Sequence, residues 1–106
     1  MKIGDLRPAV SLRERFHLSC RLLVPTDAGC YVLTSFDGEV LYVGLAKCLA
    51  TRFEQHCNDG DKRRVVSGFK AAWFYYLRCS ETELARLERG WMSEYLDVHG
   101  ALPPLN

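Results

Sequence analysis

Two β-rich runs, residues 29–35 (Gly-Cys-Tyr-Val-Leu-Thr-Ser) and 40–43 (Val-Leu-Tyr-Val), flank the pair Asp37-Gly38. An Asp-Gly step between such runs predicts an antiparallel hairpin, because glycine supplies the positive φ that a tight turn requires. A hairpin alone is marginal in water, so the rest of the chain must cover it. Leu45, Leu49 and Phe53 recur every four residues and predict a helix over about 46–57. Asn58-Asp59-Gly60-Asp61 ends that helix and opens a polar loop carrying Lys62, Arg63, Arg64 and Lys70. Residues 71–78 are aromatic and read as a third strand. Ser80-Glu81-Thr82-Glu83 is a capping box that opens a helix running to about Asp97, with Gly100 beyond it. Leu102-Pro103-Pro104-Leu105-Asn106 is an extended tail.

Upstream, Ser11-Leu12-Arg13-Glu14 is another capping-box pattern and predicts a short helix starting at Ser11. Phe16, Leu22, Leu23 and Val24 would give it something to bury, and Pro25-Thr26-Asp27 reads as a turn. The expected organisation is an N-terminal extension over 1–24 and one domain over 25–106, in the order β-β-α-β-α. That order describes a small α/β sandwich, with a central three-stranded sheet flanked by helices. A chain of 106 residues with 48% hydrophobic content can bury about two-thirds of its unfolded surface without staples.

Five cysteines without a CxxC spacing read as reduced thiols of a cytoplasmic protein. Cys48, His56 and Cys57 could contribute to a zinc site, but no second ligand cluster stands at finger-like spacing. No signal-peptide pattern follows Met1, and no apolar run approaches the roughly 20 residues of a membrane span. The net charge of +1 argues against a protein that grips nucleic acid by bulk charge. Clustered cations at Lys62, Arg63, Arg64 and Lys70 still fit a nucleic-acid enzyme, or a solvated loop.

Three features carry candidate chemistry. Leu84, Leu87, Trp91, Met92 and Tyr95 share one helix face, and Glu88 falls inside that stripe. A carboxylate there is costly unless paired or metal-bound, so it is either a salt-bridged edge residue, paired with Arg52 or Arg78, or a metal ligand. Arg52 and His56 are four apart and project from one helix face. Together they suit phosphate chemistry, or they are an ordinary surface arginine and a partly buried histidine. Tyr31 and Tyr42 are ordinary strand residues singly; a phenol near pKa 10 is a poor base unless cations lie beside it.

Taken in order, Gly29-Cys30-Tyr31, Tyr42-Val43-Gly44, Arg52, Glu88 and Pro104-Leu105-Asn106 resemble the signature of the GIY-YIG nuclease family. The interval from Gly44 to Arg52 is like that of its excision-repair branch, and His56 four after the arginine looks like its homing-endonuclease branch. The resemblance covers about residues 25–106. Cys30 and Val43 are apolar departures, and Leu45 stands where many relatives carry Lys or Ser. The family resemblance implies a DNA endonuclease that uses Mg²⁺ or Mn²⁺ and an in-line water attack. It implies Tyr31 to activate or orient that water, with Tyr42 and His56 in support. Arg52 would bind the scissile phosphate, and Glu88 would hold the metal that stabilises the leaving 3′-oxygen. Asn106 would hydrogen-bond near the metal or cap local backbone. Gly44, Arg52, Lys62, Arg63, Arg64 and Lys70 would meet the nucleic acid. The substrate could be duplex, branched or nicked DNA, with RNA as an alternative and a partner protein as a means of targeting. A non-catalytic nucleic-acid-binding module with a degenerate nuclease site is the competing function, and a plain α+β interaction domain is a third.

Overall fold

A computed structural model describes residues 1–106. One antiparallel sheet organises it, from β1 (Leu12–Arg15), β2 (Gly29–Thr34), β3 (Val40–Ala46) and β4 (Trp73–Arg78), in the spatial order β1-β4-β2-β3. The helices are α1 (Leu49–Cys57), the single turn α2 (Gly60–Arg63) and α3 (Glu81–His99). The expected α/β sandwich is present, and its hairpin is β2-β3. Gly38 takes φ +89° in the turn, where the Ser35 N–H donates to the Glu39 carbonyl at 2.9 Å. A register shift between Leu33 and Thr34 puts Tyr42 opposite Leu33 and Gly44 opposite Tyr31.

The sheet has four strands instead of the expected three, and the extra one lies in the predicted Ser11 helix. Residues 12–15 pair with β4 from Leu12↔Tyr76 to Arg15↔Trp73. A capping signal stabilises a helix by only ~1 kcal/mol, and a single turn here would bury little. As a strand, the segment gains a ladder and seats the Arg13 guanidinium 3.7 Å above the Trp73 ring. A 3-10 segment, Leu18–Leu23, follows it. The first helix begins at Leu49 and not at 46, because Leu45 and Ala46 still pair with Cys30 and Gly29. The expected polar loop contains the α2 turn, capped by Asp59, whose carboxylate accepts from the Asp61 N–H. Helix α3 starts after Ser80 and ends at Gly100, whose φ of +70° is the left-handed C-cap.

Strand alternation divides the side chains between two cores. Tyr31, Leu33, Leu41, Ala46, Phe74 and Tyr76 face α1, where Leu49 and Phe53 are fully buried. Cys30, Val32, Val40, Val43 and Tyr75 face α3, against Leu84, Trp91 and Tyr95. The five cysteines are free thiols. No helix is long and apolar enough to cross a membrane.

Candidate active site

Gly44 sets the geometry of the α1 side. A Cβ built there would lie 2.5 Å from the Tyr31 hydroxyl and 2.8 Å from the Tyr42 ring. Glycine is therefore what allows two tyrosines to close over strand β3. Their rings stack with centroids 5.9 Å apart, and the His56 ring contacts both, at 5.4 Å and 5.2 Å. The Tyr31 hydroxyl and His56 Nε2 are hydrogen-bonded at 2.6 Å. Phe74 stacks on the other side of Tyr31 at 4.9 Å.

Electrostatics keep this pair neutral. Burial raises the Tyr31 pKa well above its usual value; Tyr42 adds to the rise, and Arg52 opposes it. His56 is pushed down to about 4 by burial, then by the Lys62 and Arg52 charges, against a smaller opposing effect of Asp59. At neutral pH the buried contact therefore joins a phenol to an uncharged imidazole. Tyr31 is 0% exposed, whereas Tyr42 is half-buried and reaches solvent.

Two cations border the tyrosines without a carboxylate partner. Arg52 is half-buried on α1, and Lys62 Nζ lies 4.6 Å over the Tyr42 ring, donating to the Leu105 carbonyl at 3.1 Å. The chain's ion pairs lie elsewhere, at Met1–Glu39, Lys2–Glu39 and Glu83–Arg86. Lys62 thus stands beside Tyr42, apart from Arg63, Arg64 and Lys70, with which sequence proximity had grouped it. Tertiary folding decides this: successive residues of a helical turn point about 100° apart.

Asn106 occupies a backbone role. Its side-chain carbonyl accepts from the Val43 N–H and its amide donates to the Val43 carbonyl, both at 2.9 Å. The Leu105 N–H adds a bond to the Leu41 carbonyl at 2.8 Å. The tail thereby pairs with the otherwise free edge of β3 over Leu41–Val43 and leaves Gly44–Ala46 open. Beside that open stretch lies a cleft of about 340 Å³, lined by Leu45, Ala46, Lys47, Arg52 and Gln55 among others. Lys47 and Gln55 did not stand out in the sequence. Gln55, three after Arg52 on the same helix face, could have been found from spacing; Lys47 lies in a connection with no periodicity to mark it.

Glu88 is half-buried on α3, the helix covering the opposite face of the sheet, and forms none of the chain's ion pairs. The salt bridge to Arg52 or Arg78 considered above is therefore absent. No group of three or more His, Cys, Asp or Glu side chains is placed to hold a metal ion, so Cys48, His56 and Cys57 do not form a zinc site. A lone carboxylate free of internal partners does suit a hard divalent cation that keeps most of its waters and takes further oxygens from a phosphate.

Comparison with known proteins follows the same residues. The family model for the GIY-YIG catalytic domain matches residues 27–99, from the turn before β2 to the end of α3. The chain belongs to the GIY-YIG family. It is similar to UvrABC system protein C of Protochlamydia amoebophila (strain UWE25), 33% identical over 76% of this chain and 14% of that protein. The protein of the same name from Treponema pallidum (strain Nichols) is 35% identical over 78% of this chain and 12% of its own length. The chain thus spans roughly one-eighth of the length of these relatives. Against the GIY-YIG match, β1 and the 3-10 segment Leu18–Leu23 lie outside the matched residues although β1 completes the sheet.

Proposed function

We propose that this chain is a DNA endonuclease that hydrolyses a phosphodiester by in-line attack of water. The carrying observation is that Tyr42 lies under Lys62 and against His56, one helical turn along α1 from Arg52, with neither cation in an ion pair. A phosphodiester is the anion such a set is short of, and Arg52 is the residue that can grip it with a planar fork of donors. As the water oxygen bonds to phosphorus and the bond to the 3′-oxygen breaks, negative charge grows on the phosphoryl oxygens. Arg52 and Lys62 oppose that growth. The hydroxyl of the half-buried Tyr42 accepts a hydrogen bond from the water and aims it, and the proton the water loses passes to solvent. Tyr31 and His56, neutral and enclosed, hold the Tyr42 ring. A Mg²⁺ or Mn²⁺ ion held by Glu88 would supply positive charge for the leaving oxygen. Membership of a family whose model is a catalytic domain supports this reading over a binding module without catalysis.

Arg52→Lys tests it on supercoiled plasmid in Mg²⁺. The charge remains and the fork is lost, so turnover should drop by about a hundredfold or more while DNA affinity changes by less. Equal losses in both would make Arg52 a ground-state anchor; parental turnover would remove it from the reaction.

A further inference from the structure

The largest cavity of the chain, about 580 Å³, lies away from the tyrosines. Its wall is built by Arg15 at the end of β1 with the next two residues, Phe36 of the hairpin turn, Arg63, and residues 70–73. Arg15, His17, Arg63 and Lys70 line it, with no carboxylate among its lining residues, and none of Arg15, Arg63 and Lys70 has an ion-pair partner. Phe16, Phe36 and Trp73 line it, and the rings of Phe36 and Trp73 have centroids 6.3 Å apart. Phe36 is 75% exposed at the hairpin tip, where an apolar ring gains little from the fold. Trp73 is fixed from two directions: Arg13 covers one face of the indole, and its Nε1–H donates to the Phe36 carbonyl at 3.3 Å. A second cleft of about 290 Å³ shares Phe16, His17 and Arg63 with the first and extends it to Asn58.

We propose that this groove holds an unpaired stretch of DNA strand, its bases stacked on Phe36 and Trp73 and its phosphates against Arg15, Arg63 and Lys70. Open aromatic platforms beside unpaired cations are the means by which proteins hold single strands, since every base offers a π-face and every phosphate a charge. Paired bases in a duplex present only their outer faces and edges and cannot reach such platforms. Helix α2 links the groove to the reaction site, because Arg63 lines the one and Lys62 lies against Tyr42 in the other. Residues 15–17 precede the part of the chain that the family model matches. The inference rests on DNA as the substrate and narrows it to DNA in which a single-stranded segment adjoins the bond to be cut.

The test is fluorescence anisotropy of the full chain in EDTA, with a short labelled oligo(dT) and a hairpin duplex of equal length. Oligo(dT) should bind several-fold more tightly than the duplex and should quench tryptophan emission. That quench would report Trp73, since the only other tryptophan, Trp91 of α3, is 0% exposed against the sheet. Phe36→Ala, a change at an exposed tip that leaves the core intact, should weaken oligo(dT) binding about tenfold and leave the duplex unchanged. Tighter binding of the duplex, preference for oligo(rU), absence of quenching, or equal loss on both ligands in the variant would each overturn the proposal. Duplex cleavage with no oligo(dT) binding would sink the groove and leave the nuclease reading standing. Oligo(dT) binding with no metal-dependent cleavage would do the reverse.

Discussion

At the scale of single residues, the two tyrosines look alike in sequence and part company in structure. Tyr31 is enclosed and hydrogen-bonded to His56, whereas Tyr42 reaches solvent beneath Lys62. Tyr31→Phe should therefore cost stability, roughly 1–3 kcal/mol, by leaving a buried imidazole nitrogen without its partner. Tyr42→Phe should abolish most cleavage and leave the melting temperature near that of the parent. Thermal melts and plasmid assays on the two variants separate these outcomes, and a reversed pattern would return the water to Tyr31. His56 gives a pH signature. The unfolded chain takes up the imidazole proton near pH 6.5, and the folded chain only at about 4. Between these values the unfolded state holds more protons, so stability falls as pH is lowered through that window and is fully present above it. The contribution is about 3 kcal/mol. Urea midpoints at pH 7 and pH 4.5 should differ less in His56→Gln than in the parent, if both fold.

Secondary-structure elements explain which parts of the fold could be read in advance. The hairpin, α1, β4 and α3 were legible because each carries a self-contained signal: Asp37-Gly38 at the turn, Leu49 and Phe53 at helical spacing, an aromatic run, and Ser80 with Gly100 at the ends of the last helix. Strand β1 was not legible. Its local pattern at Ser11–Glu14 is a helix cap, and the partner that overrides it, β4, lies some sixty residues away in sequence. The role of Asn106 was hidden for the same reason, since only the folded edge of β3 shows what the tail is for. Asn106→Ala removes both bonds to Val43. It should cost about 1–2 kcal/mol and speed hydrogen exchange at the Val43 amide by roughly the corresponding factor. Exchange there at the parental rate would mean that Leu105 alone holds the tail.

For the molecule as a whole, the proposed reaction draws on both faces of one sheet. Arg52 and the tyrosines lie on the α1 side and Glu88 on α3, with the edge strand β3 between the two helices. Glu88→Gln keeps the shape and removes the charge. Cleavage in Mg²⁺ should fall by orders of magnitude while the melting temperature holds or rises, because a half-buried carboxylate without a partner becomes neutral. Calorimetric titration with Mn²⁺ should lose its binding heat in the same variant. Parental cleavage in the variant would leave the α3 face without a part in the chemistry. The crowding of Arg52 and Lys62 around an uncharged His56 has a wider consequence. Like charges held close by the fold repel, and in the free protein Asp59 offsets them only in part. A polyanion at the site would complete a charge set that the polypeptide leaves unfinished. Folding and substrate capture then share one thermodynamic cycle, in which whatever strengthens the grip on the phosphate also tightens the protein around it.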